Sequence, residues 1–215
     1  MWKAAAGVLG VGTAAAGGAL AYKELSKPKT YSIKSLLISK NQDKRLLVKD
    51  KDGSSTEWKA TWKAYLNSGN NIWKLPEWKT PPAVNEDAPN SFMDACSSNS
   101  GVMVESISSQ EYKNVLSFCT RDTVVKDLIE ESGRVLNSDT NGGWSKSWKS
   151  YRDLNKGKEK TKDSWQLTDW ESSKASDDAI SADFKKKCND KLALKTNGRE
   201  VDDYQNIIDW CSMPK

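Results

Sequence analysis

Histidine is absent from all 215 residues. That removes the usual general base at neutral pH, the Ser/His and Cys/His nucleophile pairs, and every zinc site that needs imidazole. Cysteine is scarce, with four residues and no two of them closer than 23 positions, so a metal site built on C-x-x-C pairs of thiolates has no footing. A basic surplus is also missing from most of the chain. Residues 35 to 121 hold eleven bases and ten acids, and residues 122 to 215 hold seventeen and eighteen. A nucleic-acid binder gathers positive charge on its folded part, because releasing counterions from phosphate supplies the affinity, so these near-neutral halves argue against that class. The net charge of +4 belongs to residues 1 to 34, with five Lys and one acid. At 37% apolar residues the chain is globular rather than disordered and long enough for one or two domains.

One uncharged run, Ala4 to Tyr22, is long enough for a bilayer: at 1.5 Å per residue it reaches about 28 Å. Lys3 precedes it, and Lys23, Lys27 and Lys29 follow it. Ala6, Gly10, Ala14 and Gly18 recur at every fourth position, a small-residue stripe that would let such helices associate in lipid. The rival reading is a cleaved signal peptide, since Ala19-Leu20-Ala21 has the small-x-small form of a cleavage site. No Cys follows the run, so lipoprotein-type lipidation has no support. Gly10-Val11-Gly12-Thr13-Ala14-Ala15 imitates a dinucleotide fingerprint but lacks the strand before it and the βαβ unit after it, and no cofactor is expected.

Laid over itself, the chain shows a duplication. At an offset of 86, Trp58, Trp62 and Tyr65 fall on Trp144, Trp148 and Tyr151. At an offset of 92, Trp73, Trp78, Phe92, Cys96, Tyr112 and Cys119 fall on Trp165, Trp170, Phe184, Cys188, Tyr204 and Cys211. The six extra residues lie between Tyr151 and Trp165, in the lysine-rich stretch Asn155 to Lys162, which has the composition of a solvated surface loop.

Spacing within each copy predicts helices. Trp58, Trp62 and Tyr65 at i, i+4, i+7 share one face, as do Trp144, Trp148 and Tyr151. Tyr112, Val115, Leu116 and Cys119 form a stripe that Tyr204, Ile207, Ile208 and Cys211 repeat, and Ser108 with Glu111 fits a capping box at the start of the first. Phe92 and Cys96, like Phe184 and Cys188, are one turn apart, so two helices are expected to cross where the cysteines meet. Alternating Val102 and Val104, matched by Leu192-Ala193-Leu194, suggest a short strand. The expected fold is mainly α: two tandem small helical modules, residues 35 to 121 and 122 to 215, each with a short two-stranded β element. An N-terminal membrane-targeting helix in residues 1 to 34 precedes them.

Cys96 to Cys119 and Cys188 to Cys211 share a separation of 23, and a module copied whole should carry its bridge with it. A loop of that size contributes on the order of 3 kcal/mol, useful to a small module with a thin core, and implies an oxidising exterior. The alternative is four reduced cysteines packed as small hydrophobes. Trp58, Trp62, Trp73, Trp78, Trp144, Trp148, Trp165 and Trp170, with Tyr65 and Tyr151, are expected in the cores, although a Trp face could also stack on sugars or cations. Adjacent acids, Glu130-Glu131, Asp177-Asp178 and Asp202-Asp203, suggest paired-carboxylate hydrolysis only distantly, for neighbours on a helix do not face each other. No catalytic, cofactor-binding or metal-ligating residue is expected.

The order of motifs resembles a family of paralogous proteins of haemotropic mycoplasmas. The features that carry the resemblance are the Ala/Gly-rich N-terminus with its lysines, Ser35-Leu36-Leu37, Lys44-Arg45-Leu46-Leu47, Trp58-x3-Trp62, Trp73-x4-Trp78, Cys96, Cys119-Thr120-Arg121 and the second round to Trp210-Cys211. It covers essentially the whole chain and departs at the end, where Cys-Ser-Met-Pro-Lys replaces the expected Cys-Thr-Lys. The resemblance brings no activity or catalytic residue. It implies a wall-less, erythrocyte-attached bacterium and a large diverging family, hence surface display. With the apolar N-terminal run, the expectation is a single-pass membrane protein with extracellular modules, or a secreted one if cleaved near Ala21; the alternative role is a structural protein of the cell envelope. The expected partners are the membrane and a host or envelope protein or glycan.

Overall fold

A computed structural model describes residues 29 to 215 except residue 84, residues 177–178 and residues 198–200. The expected anchor helix and its small-residue stripe lie outside the described residues. Among those described, no helix is long and apolar enough to cross a membrane.

The fold is mainly helical. It runs β1 (Tyr31–Ser32), α1 (Ile33–Lys40), β2 (Lys44–Leu46), α2 (Thr56–Asn67), α3 (Asn90–Ser100), β3 (Met103–Val104), α4 (Gln110–Phe118) and β4 (Thr120–Asp122). It continues through α5 (Val125–Glu131), β5 (Arg134–Leu136), α6 (Gly143–Asn155), α7 (Trp170–Ser173), α8 (Ala182–Leu192), α9 (Tyr204–Cys211) and β6 (Ser212–Pro214). Serines start several of these helices. Ser32, Ser55 and Ser181 accept from the backbone N–H three residues on, satisfying a donor that the first turn leaves free. The helix that leads into Cys119, α4, is capped by Ser109 rather than Ser108, which instead shares a hydroxyl contact with Ser106.

Among the described residues three antiparallel pairs complete the fold: β1 with β3, β2 with β4, and β5 with β6. The strand expected near Val102 therefore pairs with Tyr31–Ser32, ahead of residue 35, and Ile33 is fully buried in the first core. In the second copy, Leu192 ends α8 and the equivalent bridge falls at Lys195, opposite Val124. The pairs β2–β4 and β5–β6 have no counterpart in the sequence reading, since three-residue strands are too short to show alternation.

Buried side chains separate into two clusters, one drawn from residues 33–119 and one from residues 125–211. Their hydrogen bonds repeat as well. The Ile33 N–H donates to the Val102 carbonyl and the Val125 N–H to the Leu194 carbonyl, each at 3.0 Å and 92 positions apart. Leu47 N–H reaches Cys119 O at 2.9 Å, and Asn137 N–H reaches Cys211 O at 3.0 Å. Close packing also demands glycine at position 53: a Cβ there, where φ is +70°, would stand 2.0 Å from the Ala88 carbonyl oxygen.

Candidate functional site at the joint between the modules

Each core is built on an aromatic frame. Phe92 lies 5.0 Å from Trp62 and 5.3 Å from Tyr65 between ring centroids, and Phe184 lies 5.4 Å from Trp148 and 5.0 Å from Tyr151. Trp58, Trp62, Trp144, Trp148, Trp165 and Trp170 are buried with both tyrosines, while Trp73 and Trp78 are partly buried against the first core. Phe118 and Trp210 close the frames at equivalent places, edge-on to Trp73 and Trp165 at 6.0 and 4.8 Å. Sequence matching by residue type missed that pair because the types differ.

The tyrosine hydroxyls are polar hubs. Tyr65 Oη donates to Asn71 Oδ1 at 3.0 Å and accepts from the Trp73 N–H at 3.0 Å. Tyr151 Oη donates to Asp163 and accepts from the Trp165 N–H at 2.9 Å, so a buried carboxylate stands where the first module has an amide. Burial raises the hydroxyl pKa of both tyrosines, and the Asp163 carboxylate adds to the rise at Tyr151. Two disulfides pin the crossing helices, Cys96–Cys119 and Cys188–Cys211, with Cα atoms 5.4 and 5.5 Å apart.

Where the modules meet, the contact is polar. Thr123 is fully buried there: its N–H donates to Asp43 O at 2.9 Å, its hydroxyl donates to Gln42 O at 2.8 Å, and Arg45 donates to that hydroxyl at 3.0 Å. Arg45 also forks onto Glu131 at 2.7 and 2.9 Å. Asp122 takes Lys44 and Lys195, both at 2.6 Å, and Arg121 forks onto Asp127 at 2.7 Å. The hydrogen bonds and charges of Lys195 and Lys44 pull the Asp122 carboxyl down to about 2. Burial alone would push the Asp127 carboxyl up, but Arg121 and the Val124 N–H hold it below its usual range.

A groove of about 1000 Å³ opens along this joint, lined on one side by β2, β4 and the start of α2 and on the other by α5 and the end of α8. Its charges are largely spent on each other. Ser55 Oγ accepts from the Trp58 N–H as a helix cap, and no base stands beside it among the described contacts. The arrangement can hold two modules together and offer a surface of mixed charge. Among the described residues, no group of three or more Cys, Asp or Glu is placed to hold a metal ion. The adjacent acids do not converge: Glu131 serves Arg45, Glu130 sits 3.8 Å from Lys126, and Asp203 takes Lys191 and the Trp165 indole. Asp177 and Asp178 lie outside the described residues.

A smaller hollow of about 270 Å³ lies beside α2, bounded in part by Trp62 and Glu86. Trp62 Nε1 is buried without a hydrogen-bond partner, whereas Trp148 Nε1 donates to Ser176 O at 3.1 Å. Comparison with protein-family models, curated proteins and solved structures gives no match.

Proposed function

We propose that the chain is a membrane-anchored protein displayed on the cell surface, acting in host interaction or as an antigen rather than as an enzyme. The observation that supports this reading is the pair of disulfide-closed modules that follow an apolar N-terminal run. Bridges persist outside the reducing cytosol, and a module whose core is thin gains most from them. The resemblance to the paralogous proteins of haemotropic mycoplasmas points the same way.

On this reading the paired aromatic frames are a scaffold, and recognition falls to exposed loops and to the groove at the joint. Protease shaving of intact cells is the test. Loss of the modules from unpermeabilised cells supports display, and full protection until lysis refutes it.

A further inference from the structure

Through the repeat, the joint has a second, unfilled version. Among the residues of the second module that touch or face the first at the joint are Thr123, Lys126, Asp127, Glu130 and Lys195. Ninety-two positions earlier stand Tyr31, Lys34, Ser35, Ile38 and Met103. These five therefore share one face of the first module, formed by β1, β3 and the outer side of α1. All are exposed, Tyr31 at 44%, Ile38 at 64% and Met103 at 56%.

The face differs in chemistry from its counterpart. Glu130, Lys195 and Thr123 are replaced by Ile38, Met103 and Tyr31, so an ionic surface has become an apolar one. On its β1 and α1 part the charge is of one sign, with Lys29 and Lys34 and no acid between residues 29 and 40, while Glu105 stands two residues past Met103. The chain enters this same face from the apolar N-terminal run, which ends at Tyr22, nine residues before Tyr31.

We propose that this face of the first module rests in the headgroup layer of an anionic bilayer, Tyr31, Ile38 and Met103 dipping in and the lysines meeting lipid phosphates. Tyrosine suits the boundary between hydrocarbon and water, and lysines near an anionic leaflet add attraction while their stems lie along apolar surface. The inference rests on the reading that the N-terminal segment anchors the chain, which brings the face within reach of lipid. A second copy docking head to tail is the rival occupant. Matched by their places in the β2–β4 and β5–β6 ladders and by the 92-residue repeat, Arg45, Arg121, Asp122, Asp127, Glu131 and Lys195 give way to the uncharged Val135, Met213, Pro214, Ser35, Ser39 and Met103, and of the charges that lock the joint Lys44 alone keeps a charged counterpart, Arg134.

The test uses the full chain in phosphatidylcholine vesicles with and without phosphatidylglycerol, labelled with an environment-sensitive dye at Met103→Cys or, as a control in the exposed insertion, at Lys160→Cys. The Met103→Cys dye should shift to the blue and be quenched severalfold more by headgroup-level quenchers than the Lys160→Cys dye. Omitting phosphatidylglycerol, or introducing Lys29→Glu with Lys34→Glu, should remove most of that difference while the chain still floats with the vesicles. Equal quenching at both sites in a floating chain overturns the face and leaves the anchor standing, whereas a chain that does not float overturns both. Dye shielding that grows with protein concentration in lipid-free detergent assigns the face to a second copy and also overturns the proposal.

Discussion

In the first module the indole nitrogens of Trp62 and Trp78 are buried with no hydrogen-bond partner. Their counterparts in the second module, Trp148 and Trp170, donate to the carbonyls of Ser176 and Lys158 at 3.1 and 2.9 Å. Lys158 belongs to the lysine-rich insertion, so a segment whose composition marks it as a solvated loop also completes the polar shell of the second core. The tyrosine hubs differ in the same direction, Asn71 in one and a buried Asp163 carboxylate in the other. One aromatic packing scheme thus tolerates two polar fittings, because ring stacking depends on shape whereas a buried N–H finds a partner only where a carbonyl lies near.

The hardest blow to either frame is loss of its central indole. Trp148→Ala and Trp62→Ala should each cost about 3 to 5 kcal/mol, the penalty for emptying a large core site, read by chemical denaturation. Each should unfold its own module first. A single shared transition for both variants breaks the picture of two independent cores.

Next come the bridges. Replacing Cys188 and Cys211 together by Ala should cost on the order of 3 kcal/mol and shift only the second module's transition in calorimetry, and the Cys96 and Cys119 pair should do the same to the first.

Tyr151→Phe should cost about 1 to 3 kcal/mol and more than Tyr65→Phe, for it strips a donor from a buried carboxylate rather than from an amide. Asp163→Asn added to Tyr151→Phe should close most of that gap. If the two Phe variants are equal, the difference between the hubs carries no energy.

Trp148→Phe and Trp170→Phe should exceed Trp62→Phe and Trp78→Phe by about 1 kcal/mol each, since only the former lose a hydrogen bond.

The smallest effect belongs to the joint. Asp122 titrates near 2 in the folded chain and near 3.8 when unfolded, so its contribution is present above about pH 4 and lost as pH falls toward 2. Asp122→Asn should therefore destabilise at pH 5 by less than about 1 kcal/mol, solvent screening discounted, and match the native chain at pH 2. Added salt should shrink the difference at pH 5.

Legibility followed residue size. Trp58, Trp62 and Tyr65 could be read as one helical face because large aromatics on a 3.6-residue period leave a clear pattern, and their repeat 86 positions later fixed the second copy. Phe118 and Trp210 escaped because equivalent positions carry different rings. The joint escaped for another reason: Arg45 meets Glu131 and Arg121 meets Asp127 across the two copies, so no comparison of one copy with the other could reveal them.

What the sequence determined by itself was the period, the helical faces and the partners of the four cysteines. All of these follow from spacing within a module, where the geometry of one helix turn or one copied loop dictates which side chains share a surface. Tertiary structure alone decided where Tyr31 pairs, which carbonyls satisfy the indoles, and how Thr123 is buried between two charged faces. Those are contacts between segments far apart in the chain, and the backbone path that brings them together leaves no periodic trace in either segment.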